Sequence, residues 1–167
     1  YMGKEPDDVS GPNVHYGTAI QKFSLTTDGN STNVADILSG RRHQSGHSSN
    51  THGFVVGGYI GTAASSLNII ERFSFTTDGN STDWADISTS RGYMSGHNSL
   101  THGYCAGGNG PINVIEKFTF VSDANATDVG DCLATFHSGS GQESQTYGYS
   151  SGGDNGPGSY NVIQKWS

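Results

Sequence analysis

The chain has 167 residues and a formal net charge of −7, with only 8 Lys and Arg. No basic stripe is present, which argues against nucleic acid as a partner, and the most apolar stretch, Phe54 to Ile60, is too short and too glycine-rich to span a bilayer. An apolar share of 32% with 25 Gly and no collagen period predicts short strands joined by tight turns, while regularly spaced Phe, Tyr and Ile argue against disorder. No secretion leader is visible and the first residue is Tyr1 rather than Met, so the sequence reads as a processed chain or as a piece of a longer one.

The predicted elements belong to one unit repeated about every 48 residues. Ile20-Gln21-Lys22-Phe23 is answered by Ile70-Glu71-Arg72-Phe73, Ile115-Glu116-Lys117-Phe118 and Ile163-Gln164-Lys165-Trp166. Taking the central copy in chain order, a strand is predicted from Asn68 to Phe75, apolar on both faces and so covered on both sides. Asp78-Gly79-Asn80 follows as a tight turn. A short strand comes next near Trp84 to Ile87, then a polar one from Met94 to Ser99, then one through Gly103 to Ala106 that ends at the pair Gly107-Gly108. The repeats fall at approximately 1–53, 54–103 and 104–148, with a partial copy at 149–167. No apolar period of 3.6 persists for three turns, so almost no helix is expected. A four-stranded antiparallel unit of this length predicts an all-β β-propeller with about three and a half blades in this chain. That count leaves open edges, which predicts self-association or a longer parent chain.

Gly57-Gly58, Glu71-Arg72-Phe73, Trp84 and Arg91 resemble the kelch repeat: a Gly pair, an aromatic after a charged pair, then Trp, then Arg. The likeness covers nearly the whole chain, but Val34 and Val129 stand where Trp would be and Phe136 where Arg would be. Phe73-Ser74-Phe75-Thr76-Thr77-Asp78-Gly79-Asn80, followed by Thr101-His102-Gly103-Tyr104, is similar to kelch-like repeats of phage and marine virion proteins. The resemblance implies a non-enzymatic structural or binding module of a virus particle or secreted assembly, tail- or fibre-like, located on a virion or outside the cell. Its ligand would be a glycan or a protein receptor. An intracellular kelch-type scaffold is the alternative. Galactose oxidase-like enzymes share the kelch architecture, but their copper site of Tyr, His and Cys is not visibly assembled here, so a metal oxidase fragment is the third reading.

Three acidic loops recur: Asp28, Asn30, Thr32 and Asp36; Asp78, Asn80, Thr82 and Asp86; Asp123, Asn125, Thr127 and Asp131. Alternating oxygen ligands suit Ca²⁺, and the spacing resembles loops in the propellers of integrin α chains. No Gly stands at position six and no Glu at position twelve, so a weak Ca²⁺ site and a side-chain-stabilised turn both remain as readings. The same loops hold glycosylation acceptors at Asn30, Asn80 and Asn125. Arg41 and Arg91 are expected to pair with strand carboxylates such as Glu71, or to face a ligand, and Trp84 is expected to be structural. His47 and His97 recur symmetrically, as inter-blade hydrogen bonding would require; a zinc site with His43 is the rival. Cys105 and Cys132 replace small or apolar residues, so two buried free thiols are expected, with a disulfide as the alternative. The variable loops predict ligand contacts at Tyr59, Asn109, Asp154, Asn155 and Tyr160.

Overall fold

The computed structural model describes residues 17–61, 65–110, 112–159 and 161–167. All regular structure among them is β. β1 (Ala19–Lys22) and β2 (Thr32–Asp36) form the first sheet. β3 (Ser45–Ser48), β4 (His52–Val56), β7 (Ile69–Ser74) and β8 (Thr82–Asp86) form the second, with a short ribbon of β5 (Tyr59–Ile60) and β6 (Ser65–Ser66) inserted between β4 and β7. β9 (Ser95–Asn98), β10 (His102–Ala106), β11 (Val114–Thr119) and β12 (Thr127–Asp131) form the third. β13 (Ser140–Glu143), β14 (Gly148–Ser151) and β15 (Ile163–Trp166) form the fourth. Among the described residues every pairing is antiparallel and joins strands consecutive in the chain, except that β4 pairs with β7 across the β5–β6 ribbon, and none of the sheets closes on itself. Each larger sheet crosses the boundary drawn from the sequence. The polar strand at the end of one sequence repeat, β3 or β9, is the first strand of the next sheet.

Glycine decides how the middle strands meet. Gly53 pairs with Phe73, Gly103 with Phe118 and Gly148 with Trp166. A Cβ on Gly103 would lie 2.4 Å from the Phe118 ring, and one on Gly148 would lie 2.6 Å from the Trp166 indole. The aromatic therefore rests on bare backbone, and the Gly of Thr-His-Gly is its seat.

A bulge recurs on the outer pair. Ile70 faces Ala85 but Glu71 faces Asp83, leaving Trp84 as the extra residue. Val34 and Val129 are skipped in the same way. A bulge re-aims the side chain it inserts. Trp84 thus turns toward the third sheet, where its Nε1 donates to the Thr119 carbonyl at 3.2 Å, while Arg72 lies 3.7 Å over its ring.

The main core fills the space between the second and third sheets. Phe54, Val56, Ile70 and Ile87 meet Met94, Cys105, Phe118 and Phe120, with Phe54 stacked on Phe120 at 4.8 Å. A smaller core of Ala106, Ile115, Cys132 and Phe136, flanked by Tyr104 and Trp166, joins the third sheet to the fourth. Both cysteines are free thiols in these cores. Burial pushes the Cys105 thiol up to about 12 and the Cys132 thiol to about 11, which leaves both protonated and inert at neutral pH.

The first strands of successive sheets lie side by side, β3 against β9 and β9 against β13. Their histidines tie them. His47 Nδ1 bonds the His97 carbonyl oxygen, and His97 Nδ1 bonds that of Gln142, each at 3.1 Å. The other ring nitrogen of His47 meets Ser45 Oγ at 3.1 Å and Cys105 Sγ at 3.4 Å.

Candidate functional site

After the outermost strand of one sheet, the chain turns inward to begin the next. The buried end of that turn is held by a charge pair. Arg41 pairs with Glu71, and Arg91 with Glu116 at 2.6 Å, all four side chains almost completely buried. Each carboxylate also accepts a backbone N–H from the turn, Leu38 at 2.9 Å and Ser88 at 2.8 Å. The guanidinium groups donate onward to carbonyls of the Gly pairs, Arg41 to Gly57 and Arg91 to Gly107. At the third junction Phe136 replaces Arg and Gln164 replaces Glu, and the Gln164 amide oxygen still accepts Leu133 N–H at 2.7 Å. Both guanidinium groups are thus engaged by partners within the protein.

Two residues beyond each of these positions the backbone adopts left-handed dihedrals without glycine: His43 (φ 57°), Tyr93 (φ 61°) and Ser138 (φ 60°). Such residues are uncommon and strained, and they concentrate at functional surfaces. The strain is held in place by a relay of backbone bonds, Tyr93 N–H to His43 O at 2.8 Å and Ser138 N–H to Tyr93 O at 2.9 Å. The consequence is a cluster of rings. His43 stacks on Tyr93 at 3.9 Å, Tyr59 lies 5.7 Å from Tyr93, and His137 approaches its edge at 5.9 Å. Burial, and then the Arg42 charge, lower the His43 pKa, so this ring is neutral at neutral pH.

The residue that follows each Gly pair docks here. Tyr59 exchanges two backbone bonds with Arg42, Asn109 N–H donates to Gly92 O, and Asp154 exchanges two bonds with His137. Asn109 Nδ2 donates to Tyr59 Oη at 2.7 Å. Beside the rings a cleft of about 210 Å³ is lined by Asn109, Thr135, Phe136, His137 and Asn155. Asp154 braces its rim by accepting Gly156 N–H at 2.7 Å. Four of the five sequence-predicted contact residues, Tyr59, Asn109, Asp154 and Asn155, therefore gather at one face, although Tyr59 is buried and presents only its hydroxyl through Asn109. The fifth, Tyr160, lies outside the described residues, as do Thr62, Ala63, Ala64 and Pro111 of the same predicted loops. Sequence reasoning missed Tyr93 and His137. The signal for Tyr93 was positional, since it follows Arg91 by two residues as His43 follows Arg41, whereas His137, one residue after Phe136, carried no such signal.

The acidic loops lie elsewhere and are engaged in joining sheets. Asn80 Oδ1 accepts the Asp36 N–H, and Asn125 Oδ1 accepts that of Asp86, each at 3.0 Å. The next residue completes each clasp: Ser81 N–H donates to Asp36 O, and Ala126 N–H to Asp86 O. Asp36 accepts the Thr18 hydroxyl at 2.6 Å, and Asp78 pairs with Lys22 at 2.7 Å. Thr32, Thr82 and Thr127 open β2, β8 and β12, while Asp28, Asn30, Asp123 and Asp131 are exposed. Among the described residues no group of three or more His, Cys, Asp or Glu side chains is placed to hold a metal, and His43, His47 and His97 hold the separate positions given above.

No family model matches the chain, and no curated protein matches it.

Proposed function

We propose that the four-stranded sheets are blades of a kelch-like β-propeller and that the protein is a non-enzymatic binding or structural module of a virus particle or secreted assembly, with a glycan bound at the face of His43, Tyr93, His137, Asn109 and Asn155. The blade reading draws support from the sheet order, in which β3, β9 and β13 adjoin and the strands step outward from them. One observation carries the ligand reading: non-glycine residues held in left-handed dihedrals hold stacked rings beside an amide-lined cleft. Rings offer flat apolar surface to the C–H face of a sugar, and the amides of Asn109 and Asn155 can both donate to and accept from its hydroxyls. A chain of net charge −7 favours neutral over anionic glycans.

A glycan array followed by calorimetry tests this reading. A neutral oligosaccharide should bind, and Tyr93→Ala should weaken it at least tenfold while Leu100→Ala, at an exposed site elsewhere, should not. Absence of any glycan ligand, or binding that ignores Tyr93→Ala, would overturn it. The two buried free thiols favour a second reading, a protein-interaction scaffold in a reducing compartment. Specific co-purification of a protein partner in place of sugar binding would support it.

A further inference from the structure

We propose that Asn155 is a site of self-modification, losing its side-chain amide through a cyclic imide formed with the Gly156 nitrogen, with the Asp154 carboxylate as general base. The reaction alters the wall of the candidate cleft and does not depend on the glycan reading.

An asparagine loses its amide where the next backbone nitrogen can reach Cγ and give up its proton, and a glycine there sets no side chain in the way. The chain holds two such pairs, Asn109-Gly110 and Asn155-Gly156, each followed by Pro. Both asparagines are exposed and both line the same cleft. Their surroundings differ in the two respects that govern this reaction.

The first is the base. Gly156 N–H donates to Asp154 Oδ1 at 2.7 Å, so the proton that must leave already lies on a carboxylate. Asp154 is itself fixed, since its backbone exchanges two bonds with His137 and forms a bridge to Ser159. Asn109 follows its Gly pair directly, whereas Asp154 takes that place in the next repeat and moves the asparagine one position on. The residue before Asn109 is therefore Gly108, which has no side chain to serve as base.

The second is the freedom of the amide. Asn109 Nδ2 is tied to Tyr59 Oη at 2.7 Å. Among the described residues the Asn155 amide has no hydrogen-bond partner, and only its backbone N–H is held, by Gly158 O at 3.2 Å. Gly156 stands in open space, where even an added Cβ would meet no atom within 4 Å. Asn80, Asn98 and Asn125 are restrained in another way, each accepting a backbone N–H through Oδ1 and each preceding Ser or Ala.

The step needs water and no oxidant or reductant. Asp154 takes the Gly156 proton as that nitrogen bonds to Asn155 Cγ. The Cγ–Nδ2 bond then breaks, and the amide leaves as ammonia with the proton that Asp154 returns. Water opens the imide at either of its carbonyl carbons. One opening gives an aspartate at position 155, the other an isoaspartate whose main chain runs through the side-chain carbon. Either product replaces a group that donates and accepts by a carboxylate that only accepts.

Peptide mapping by mass spectrometry of the full folded chain, aged at neutral pH, tests the proposal. Asn155 should convert to a mixture of aspartate and isoaspartate about tenfold or more ahead of Asn109. Asp154→Asn keeps an oxygen to accept Gly156 N–H but removes the base, and should slow conversion about tenfold or more. Asn155→Gln, whose longer side chain disfavours the ring, should show no conversion at this position. In denaturant the wild-type rates at Asn155 and Asn109 should converge, because the bond from Gly156 to Asp154 is lost. An Asn155 that stays intact, or converts no faster than Asn109, would overturn the proposal. So would conversion indifferent to Asp154→Asn, a rate ratio unchanged on unfolding, or aspartate formed without isoaspartate, the mark of direct hydrolysis.

Discussion

His47 does its work by remaining neutral. It is fully enclosed between β3, the carbonyl of His97, the Cys105 thiol and the edge of the Phe118 ring. Burial is the largest cause lowering its pKa, and the charge of His97 adds to it; the bonds to the His97 carbonyl and to Asn98 act the other way, leaving it at about 4 against an ordinary 6.5. The unfolded chain then binds this proton more readily than the folded one. Stability contributed by His47 is present in full above about pH 6.5 and is lost as pH falls toward about 4. The loss is on the order of 3 kcal/mol for this residue alone. His97 is shifted in the same direction by the same principal cause. In the third repeat Gln142 stands at this position and cannot titrate. Denaturant melts of the wild type and of His47→Gln between pH 4 and 7 should therefore differ, with a shallower pH slope in the variant. Equal slopes would mean that His47 is solvated in the folded state.

At the scale of elements, the junctions between sheets show two chemically different solutions to one geometric problem. An inward turn must bury a backbone N–H next to a strand, and the strand must supply an acceptor. Glu71 and Glu116 do so as carboxylates neutralised by Arg41 and Arg91, whereas Gln164 does so as a neutral amide beside Phe136. Removing one partner of such a buried pair costs about 3–5 kcal/mol, because the other charge is left uncompensated. Replacing both by a matched neutral set removes that penalty. Glu116→Gln alone should thus destabilise strongly, and Arg91→Phe combined with Glu116→Gln should recover most of the loss. The comparison is read from chemical denaturation of the two variants. A double variant as unstable as the single one would show that Arg91 contributes mainly through its bond to the Gly107 carbonyl.

Across the whole molecule the two interfaces flanking the second sheet are unequal. Phe120 is enclosed by Phe54 and Phe118, while its repeat counterpart Phe75 borders the open cleft. Truncating an enclosed Phe costs about 3–5 kcal/mol, and the cost falls with exposure. In dilute solution Phe120→Ala should approach that figure and Phe75→Ala should cost less than half as much, as measured by thermal and urea melts.

The repeat, the absence of helix among the described residues and the short antiparallel strands were legible in the sequence, because each depends on local chemistry. Glycines are needed where rings rest on backbone, and apolar residues on both faces where a strand is covered twice. In the Asp-Gly-Asn turns Gly29 and Gly79 do not take the positive φ that the sequence suggested; Asp78 does, at 33°. The histidine ties and the pairing of Arg with Glu followed from the symmetry of the repeat. Other features depended on which residues of different repeats meet, and only the tertiary structure decided them. The side chains of Asn80 and Asn125 lie in turns by sequence, yet clasp the neighbouring sheet at Asp36 and Asp86. The bulge that turns Trp84 toward the third sheet is a matter of register, which composition does not encode. The ring cluster of His43, Tyr59, Tyr93 and His137 draws on residues from three repeats, and forms because sheet stacking superposes turns that lie some 50 residues apart in the chain. Periodicity specified what each unit is, and packing between units determined which surfaces were left open.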